Sequence, residues 1–394
     1  MSSEAFRKKR LEDGSVPTSD RLLERELDVL TANAGRWARM TVPQKRRLLA
    51  EVLGSVAAAA APWAAAGAAA KGTTGTPAAG EEWMSGPWAV LYALRRYLRT
   101  LDHIAATGSP HVPSKSIRSR GDGRTVVDVF PMTLADRFLF AGISAEVWMD
   151  DGVTPQGVRD ALGIFYRQPD LRGRTALVMG AGNISSIGPL DVLYKLVAGG
   201  AVCMLKLSPV NAYLAPIFAR ALAPLIREGF LRVVTGDADV GSVLAAHAAV
   251  DEVHVTGSAR AYDALAAHLR KPLTGELGNV TPTIIVPGPW SRADIAFAAE
   301  HVLTQKLHNG GFNCVAAQIL VLPEDWEGTP PLLAEIQRLS TTLSARPQYY
   351  PGAEQRRAAL LATRRPAGGG AATIVEAERG DVGFGSEAFA TSCS

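Results

Sequence analysis

Residues 174–207 have the sequence RTALVMGAGNISSIGPLDVLYKLVAGGAVCMLKL. The apolar run 175–179 predicts a short buried strand, residues 189–197 predict a helix, and residues 201–207 predict a second strand. Proline at the start of this helix and two glycines after its end agree with the usual asymmetry of helix termini. A strand, a helix and a strand in this order are the repeating unit of a parallel sheet.

The same alternation continues along the chain, and it predicts an α/β fold with a doubly wound parallel sheet. The further predicted strands are 231–235, 252–255 and 283–286. The further predicted helices are 212–228, a helix that ends near 247, 259–270 and 293–307. Upstream, apolar residues recur with helical spacing over residues 21–108, whereas residues 125–131 and 146–149 predict strands. After residue 324 the pattern weakens into Pro-, Gly- and Ala-rich sequence.

The composition is that of an ordinary globular protein. The 394 residues are 47% hydrophobic and carry a formal net charge of +3. So small a charge creates no large field of one sign, and we expect no nucleic-acid partner. Three scattered cysteines do not form a disulfide framework or a zinc site. The polar N-terminus without an apolar h-region indicates that a secretory signal is absent, and we expect a cytoplasmic location.

One stretch resembles a membrane segment. Residues 56–70 are nearly all alanine and include Pro62. The stretch is shorter than the roughly 20 residues that cross a bilayer, so we expect no membrane partner. We interpret it as a pair of alanine-rich helices interrupted at Pro62.

The loop after the first strand of the quoted stretch contains Gly180 and Gly182, as a dinucleotide fingerprint does. Ser185 stands where that fingerprint has its third glycine, and Lys206 ends the next strand, where an acidic residue is usual. The plain fingerprint is therefore incomplete.

Five motifs taken together resemble the aldehyde dehydrogenase superfamily. In chain order they are Asn183, Leu205-Lys206-Leu207-Ser208-Pro209, Val255-Thr256-Gly257-Ser258, Glu276-Leu277-Gly278-Asn279-Val280-Thr281-Pro282 and Asn309-Gly310-Gly311-Phe312-Asn313-Cys314. The interval of 23 residues from Asn183 to Lys206 (206 − 183) matches that family, as does the interval of 57 from Gly257 to Cys314 (314 − 257).

The resemblance implies a parallel Rossmann-type cofactor sheet, an α/β catalytic domain and a helical N-terminal layer. We divide the chain into residues 1–123, the helical N-terminal part of the cofactor domain, and 124–152, a β-rich segment interpreted as an oligomerisation hairpin. Residues 153–275 are the predicted NAD(P)-binding domain, and residues 276–394 the predicted catalytic domain.

Cys314 is the candidate nucleophile. A thiolate is the strongest ordinary nucleophile in proteins, and hydride leaves more readily from its tetrahedral adduct than from a free aldehyde. Gly310 and Gly311 would let the backbone turn so that the Cys314 N–H is free to point at an oxyanion. The alternative is that Cys314 is a small buried apolar residue, as free cysteines commonly are.

Two further residues complete the predicted catalytic set. Asn183 would supply the side-chain half of the oxyanion hole because an amide donates hydrogen bonds without adding charge, and the alternative is a helix cap or turn residue. Glu276 would activate water against the thioester, a role that suits a carboxylate whose pKa is raised by partial burial. The alternative for Glu276 is a surface residue in a loop.

The resemblance also implies a bound NAD or NADP and a small-molecule aldehyde substrate, with no metal ion. Lys206 would reach the adenosine ribose, and the segment from Gly236 to Gly241 would begin a helix under the pyrophosphate. The predicted cofactor-binding residues are Lys206, Ser208, Gly236, Gly241, Thr256, Gly257, Ser258, Leu277 and Glu387. Pro209 stands where the family often has an acidic residue, which removes a charge that would repel the 2′-phosphate of NADP.

The C-terminal region departs from the family. Glu387-Ala388-Phe389 resembles the start of a motif that holds the nicotinamide ribose, and the sequence ends at Ser394. We therefore expect a truncated chain and a weakened homo-oligomer. Phe312 also replaces a frequent glutamine two residues before the nucleophile. Two alternatives remain open: a relative that passes the thioester to coenzyme A or works as an acyl reductase, and a catalytically silent nucleotide-binding protein.

Overall fold

The computed structural model describes residues 20–168, 171–362, 370–378, 380–390 and 392–393. The N-terminal part is helical, as predicted. Its main helices are α1 (Asp20–Arg39), α2 (Val42–Ala70) and α3 (Ala89–Thr107). Short helical turns at Pro77–Gly80, Glu81–Trp83 and Met84–Trp88 connect α2 to α3.

The expected break at Pro62 is wrong, because α2 is one continuous helix of 29 residues that includes Pro62. A capping box between Thr41 and Gln44 starts the helix. Pro62 is exposed, whereas Val56, Trp63 and their neighbours on the other face are buried. Packing of that face outweighs the cost of proline in a helix, about 3 kcal/mol.

By length and composition alone α2 could cross a membrane, and 44% of its most apolar 18-residue window is buried inside the protein. Buried core helices of globular proteins have the same length and composition. The large buried apolar residues of α2, from Leu48 to Trp63, belong to the main core described below.

A small antiparallel sheet follows α3, with strand order β1-β2-β3. Its strands are β1 (Ile117–Ser119), β2 (Thr125–Phe130) and β3 (Ala145–Trp148). The helix α4 (Leu134–Leu139) lies between β2 and β3, and α5 (Pro155–Ala161) follows. Both predicted strands are present, and β1 is an addition to them.

The central sheet has five parallel strands in the order β6-β5-β4-β7-β8. The strands are β4 (Arg174–Met179), β5 (Ala201–Lys206), β6 (Leu231–Val234), β7 (Glu252–Gly257) and β8 (Leu273–Leu277). The helices that alternate with them are α6 (Ile187–Val197), α7 (Ala215–Ala221), α8 (Ala223–Arg227), α9 (Ala238–Ala246) and α10 (Ala259–Ala266). The predicted α/β parallel architecture is therefore confirmed.

Two details of this region differ from expectation. The single predicted helix 212–228 is divided into a 3₁₀ turn (Pro209–Leu214) and the helices α7 and α8, because Pro224 cannot continue the hydrogen-bond ladder of α7. The strand β8 was not predicted, and it crosses the boundary expected at residue 275.

The C-terminal part is built around a parallel pair, β9 (Thr281–Ile284) and β10 (Ala317–Val321). The predicted strand 283–286 thus begins two residues earlier. The helices are α11 (Arg292–Leu307), α12 (Thr329–Thr342) and α13 (Ala353–Leu361), and the last pair of strands is β11 (Thr373–Ile374) and β12 (Ser392–Cys393). Sequence patterns did not indicate α12 or α13.

Two large apolar cores hold these parts together. The main core joins α1, α2 and α3 to the central sheet and includes Trp37 and Trp63. The indole of Trp63 donates a hydrogen bond to Ser185 Oγ at 2.8 Å, which ties α2 to the loop after β4. The second core lies between α11 and α12 and includes Val302 and Leu332.

Candidate active site

Cys314 lies in the loop that leads into β10. Before it, Asn309, Gly310 and Gly311 have φ values of 53°, 67° and 79°, a left-handed run that asparagine and glycine tolerate better than other residues. The thiol is half-buried. The carbonyl of Cys314 accepts a hydrogen bond from Asn279 Nδ2 at 2.7 Å, which fixes the loop against the end of β8.

Several groups act on the Cys314 thiol. Burial raises its pKa, and the carboxylates of Glu387 and then Glu276 raise it further. The backbone N–H groups of Cys314 and Val315 act in the opposite direction. Two N–H dipoles therefore point towards the sulfur, the kind of donor pair that would also stabilise an oxyanion formed there.

Asn183 lies in the loop between β4 and α6, next to the Cys314 loop. Its Nδ2 donates to the Phe312 carbonyl at 3.1 Å. The cap that precedes α6 is Ser186, so the helix-cap alternative for Asn183 is wrong. Within the described ranges, the second hydrogen of Nδ2 has no partner.

Glu276 lies at the end of β8, opposite Thr256 of β7 in the strand register. Its side chain is exposed, so the expected partial burial is wrong. The physical reason is that β8 is an edge strand of the central sheet, with no further strand to cover it.

Glu387 has a half-buried carboxyl group whose charge raises the pKa of the Cys314 thiol. Burial raises the pKa of Glu387 to about 7, against the opposing charges of Arg356 and Lys306. A Cβ on Gly278 would lie 1.9 Å from Glu387 Oε2, so a larger residue there would displace the Glu387 carboxyl group. Glu387 Oε1 is buried without a hydrogen-bond partner among the described residues.

Lys206 and Ser208 lie at the carboxyl end of β5. Lys206 is buried and pairs with Met179 in the strand register. Ser208 Oγ accepts from the Val210 N–H at 3.4 Å and so caps the turn that follows. A Cβ on Gly182 would lie 2.6 Å from Ser208 Oγ, which explains the glycine in that loop.

Thr256, Gly257 and Ser258 end β7, and Leu277 pairs with Gly257 in the register. Ser258 Oγ caps α10 by accepting from the Ala261 N–H. A Cβ on Gly257 would meet one atom within 4 Å, at 3.9 Å, so the space beside this strand end is open.

The segment from Gly236 to Gly241 does begin a helix, as expected. The helix α9 begins at Ala238, after the cap Asp237. A Cβ on Gly241 would lie 2.6 Å from Met179 Cε, and one on Gly236 would lie 2.6 Å from Val240 Cβ. Gly241, inside α9, therefore allows the helix to pack closely against Met179. Gly236 allows close packing of the loop that leads into α9.

A polar cluster beside Thr256 was missed. Thr256 Oγ1 donates to Asp191 Oδ2 at 3.0 Å, and His254 Nε2 lies 3.7 Å from the same oxygen. Burial raises the pKa of Asp191 to about 6, and Glu276 adds to the rise. Burial lowers the pKa of His254. Asp191 lies on α6, and helical periodicity alone gives no signal for such a contact.

An aromatic cluster surrounds Phe312, which is fully buried. Its ring centroid lies 4.8 Å from that of Tyr349, and 5.6 Å from those of Tyr350 and Phe389. Phe312 is thus a packing residue that holds the loop of the Cys314 thiol in place. Its two tyrosine partners were not predicted, because the sequence after residue 324 has only a weak secondary-structure pattern.

The carboxyl edge of the central sheet has features that fit a dinucleotide. The strand order reverses between β4 and β7, where open α/β sheets bind ligands. The space beside Gly257 is open, and Glu387 has a buried oxygen without a hydrogen-bond partner among the described residues. Within the described ranges, no group of three or more His, Cys, Asp or Glu residues could hold a metal ion.

Part of the chain is similar to a known protein family. Residues 177–348 match the model of the "Aldehyde dehydrogenase family". A coniferyl aldehyde dehydrogenase from a Pseudomonas species is 33% identical over 149 residues, which cover 36% of this chain and 28% of that protein. An N-succinylglutamate 5-semialdehyde dehydrogenase from Sphingopyxis alaskensis is 32% identical over 178 residues, covering 41% of this chain and 35% of that protein. The chain thus matches about a third of the length of these relatives.

The fold of nearly all of this chain is found in solved structures. Aldehyde dehydrogenase C from Pseudomonas syringae, a mutant in complex with NAD+ and octanal, superposes with a TM-score of 0.67 at 15% identity. The superposition covers 96% of this chain and 72% of that one. The similarity therefore includes the N-terminal helices and the C-terminal part, beyond the segment that the family model matches.

Proposed function

We propose that this chain oxidises an aldehyde to a carboxylic acid with NAD or NADP as hydride acceptor, and its match to the model of the aldehyde dehydrogenase family over residues 177–348 supports the proposal. One observation carries the proposal. The half-buried Cys314 thiol, whose pKa is raised by burial and by the carboxylates of Glu387 and Glu276, lies on a loop whose Phe312 carbonyl accepts a hydrogen bond from the Asn183 amide.

In this proposal Cys314 acts as nucleophile. Its thiolate forms a bond to the aldehyde carbon, and the π electrons of the carbonyl move to oxygen. The Asn183 amide and the Cys314 N–H donate hydrogen bonds to that oxyanion. The carbonyl then re-forms as a thioester, and the carbon–hydrogen bond breaks with its electron pair leaving as hydride.

Glu276 acts in the second half of the reaction. Its exposed carboxylate takes a proton from water as the water oxygen attacks the thioester. The carbon–sulfur bond breaks, the acid is released and the thiolate of Cys314 is restored. Glu387, with a pKa of about 7, is the other carboxyl group near the sulfur.

Bound NAD or NADP would supply the hydride acceptor. Lys206 and Ser208 would hold its adenosine end, and Thr256, Gly257 and Glu387 its nicotinamide end. Pro209 carries no charge that would repel a 2′-phosphate, so we propose that NADP is accepted. A far lower Kd for NAD than for NADP would contradict this choice.

The test is a pre-steady-state assay with several aldehydes, among them octanal and coniferyl aldehyde, and both cofactors. We expect a burst of reduced nicotinamide that Cys314→Ala abolishes. The matched control is Cys203→Ala, because Cys203 is completely buried in β5. Equal bursts from Cys314→Ala and the unaltered protein would contradict the proposed role of Cys314.

The same assay separates the two alternatives. Acyl-CoA as product in the presence of coenzyme A, with little free acid, would favour the acylating reaction. Cofactor binding without turnover of any aldehyde would favour a silent nucleotide-binding protein.

A further inference from the structure

A buried lysine at the end of α2 contacts the loops of both proposed catalytic residues, Asn183 and Cys314. Lys71 Nζ donates to Glu82 Oε1 at 2.8 Å, to Asn309 Oδ1 at 2.9 Å and to the Asn183 carbonyl at 3.1 Å. An ammonium group has three hydrogens, and each of them has one of these acceptors. The side chains of Lys71 and Glu82 are each 4% exposed.

Asn309 continues this network towards the thiol. Its Nδ2 donates to the Asn183 carbonyl at 3.1 Å and to the Phe312 carbonyl at 2.8 Å. Its own backbone has the left-handed φ of 53°, and its N–H donates to Glu81 Oε2 at 2.9 Å. One side chain thus bridges the two loops that carry the proposed oxyanion donor and the proposed nucleophile.

Asn183 closes the ring of contacts. Its carbonyl accepts from Lys71, Asn309 and the Tyr349 hydroxyl, while its Nδ2 donates to the Phe312 carbonyl. Because three donors hold this carbonyl, these contacts fix the backbone orientation of the Asn183 loop. Several buried hydrogen bonds that converge on one loop restrict its movement.

We propose that Lys71 and Asn309, with Glu82 as the charge partner of Lys71, are positioning residues that aim the Asn183 amide and the Cys314 loop at the same reacting carbon. The catalytic part of this inference rests on the proposed function above. The loop-ordering part rests on the contacts alone.

A second buried lysine, near the start of α2, does not contact the loops of Asn183 and Cys314. Lys45 is 2% exposed, and its Nζ donates to the Ala38 carbonyl at 3.3 Å. Its remaining neighbours are aromatic rings, Phe165 among them. Lys45→Met is therefore the matched control for loss of a buried lysine from the same helix.

Two variants test the proposal. Asn309→Gly removes the bridging amide and still permits the positive φ. Lys71→Met is combined with Glu82→Gln so that no unpaired carboxylate stays buried. Hydrogen–deuterium exchange of peptides covering residues 181–186 and 308–316 reports the order of the two loops without any substrate. The burst of reduced nicotinamide, with KM for the cofactor, reports catalysis.

We expect both variants to exchange these loop amides about tenfold faster and to lower the burst rate constant by about tenfold or more. KM for the cofactor should stay within about twofold, because the contacts act on the reacting geometry rather than on cofactor binding. Lys45→Met should lower the melting temperature while both loops exchange at the rate of the unaltered protein.

If the exchange rates of both loops are unchanged in Asn309→Gly, the proposal is overturned. It is also overturned if the loops of the Lys71→Met and Glu82→Gln double variant exchange no faster than those of Lys45→Met. If the double variant does not fold, Asn309→Gly still decides, because it leaves the Lys71–Glu82 pair intact. Absence of a burst in the unaltered protein would count against the proposed function, while the exchange rates would still test the positioning role.

Discussion

At the scale of single residues, the Cys314 thiol is governed by charges from two separate parts of the chain. Glu276 comes from the end of β8, and Glu387 from the segment after β11. Both carboxylates disfavour the thiolate, while the local N–H groups favour it. Reactivity of the thiol therefore depends on how far these carboxylates are ionised at a given pH.

Replacing Glu387 should make the thiol reactive at lower pH. Glu387→Gln removes the carboxylate that has the larger effect on the pKa of the thiol and preserves the shape of the side chain next to Gly278. We expect the pH midpoint of Cys314 alkylation by iodoacetamide to fall by about 0.5 to 1 unit, with a smaller fall for Glu276→Gln. Peptide mass spectrometry of Cys314 measures it.

Glu300→Gln is the control for that experiment, because Glu300 is an exposed residue of α11. Its midpoint should equal that of the unaltered protein. A midpoint that stays constant in Glu387→Gln would show that this carboxylate does not act on the thiol.

Sequence motifs placed Cys314 and Asn183 in segments that the fold does bring into contact, because their roles depend on local motifs at fixed spacing. The burial of each carboxylate could not be predicted, because it depends on tertiary neighbours. Glu276 is exposed by the edge position of β8, and Glu387 is half-buried next to Gly278. Lys71 has no local signal at all, since its partners lie elsewhere in the chain.

At the scale of elements, the central strands and helices followed directly from apolar runs and from helix-end residues. The strand β4 and the helix α6 agree with prediction to within two residues, because buried strands and capped helices have strong local signals. The strand β8 was missed because LTGEL has an exposed centre and little apolar character. The helix α12 was missed in sequence rich in proline and glycine, although Leu332 and Ile336 are buried.

The turn between α6 and β5 depends on one glycine. Gly200 has a φ of 69°, and a Cβ there would lie 2.0 Å from Phe165 Cε2. We expect Gly200→Ala to lower the free energy of unfolding by about 3 kcal/mol or more, because backbone strain and overpacking add together. Urea unfolding followed by circular dichroism measures it.

Gly142→Ala separates the two causes. Gly142 has a φ of 82°, and a Cβ there would meet no atom within 4 Å. This variant should lose only the strain contribution, about 1 to 2 kcal/mol. Equal losses in the two variants would mean that the contact with Phe165 adds nothing.

At the scale of the whole molecule, the buried carboxyl of Asp191 couples stability to pH. Its pKa is about 6 in the folded protein, above its ordinary value of 3.8. The folded state therefore favours the protonated form, and this stabilisation is complete below about pH 4 and is lost as the pH rises through about 6. The melting temperature of Asp191→Asn, relative to that of the unaltered protein at the same pH, should therefore be higher at pH 7.5 than at pH 4.5.

The control for pH is Asp151→Asn, because the Asp151 side chain is 87% exposed. Its difference in melting temperature from the unaltered protein should be the same at both pH values. A pH-independent difference for Asp191→Asn would contradict the raised pKa of Asp191.

The indole of Trp63 and the ammonium of Lys71 both reach the loop after β4 from α2, outside the segment 177–348 that carries the family likeness. That segment therefore does not contain all the groups that hold its own loops in place. Grafted into another scaffold, it would keep its motif residues and lose the groups that hold Asn183, so a chimaera that is meant to inherit this chemistry has to inherit α2 as well.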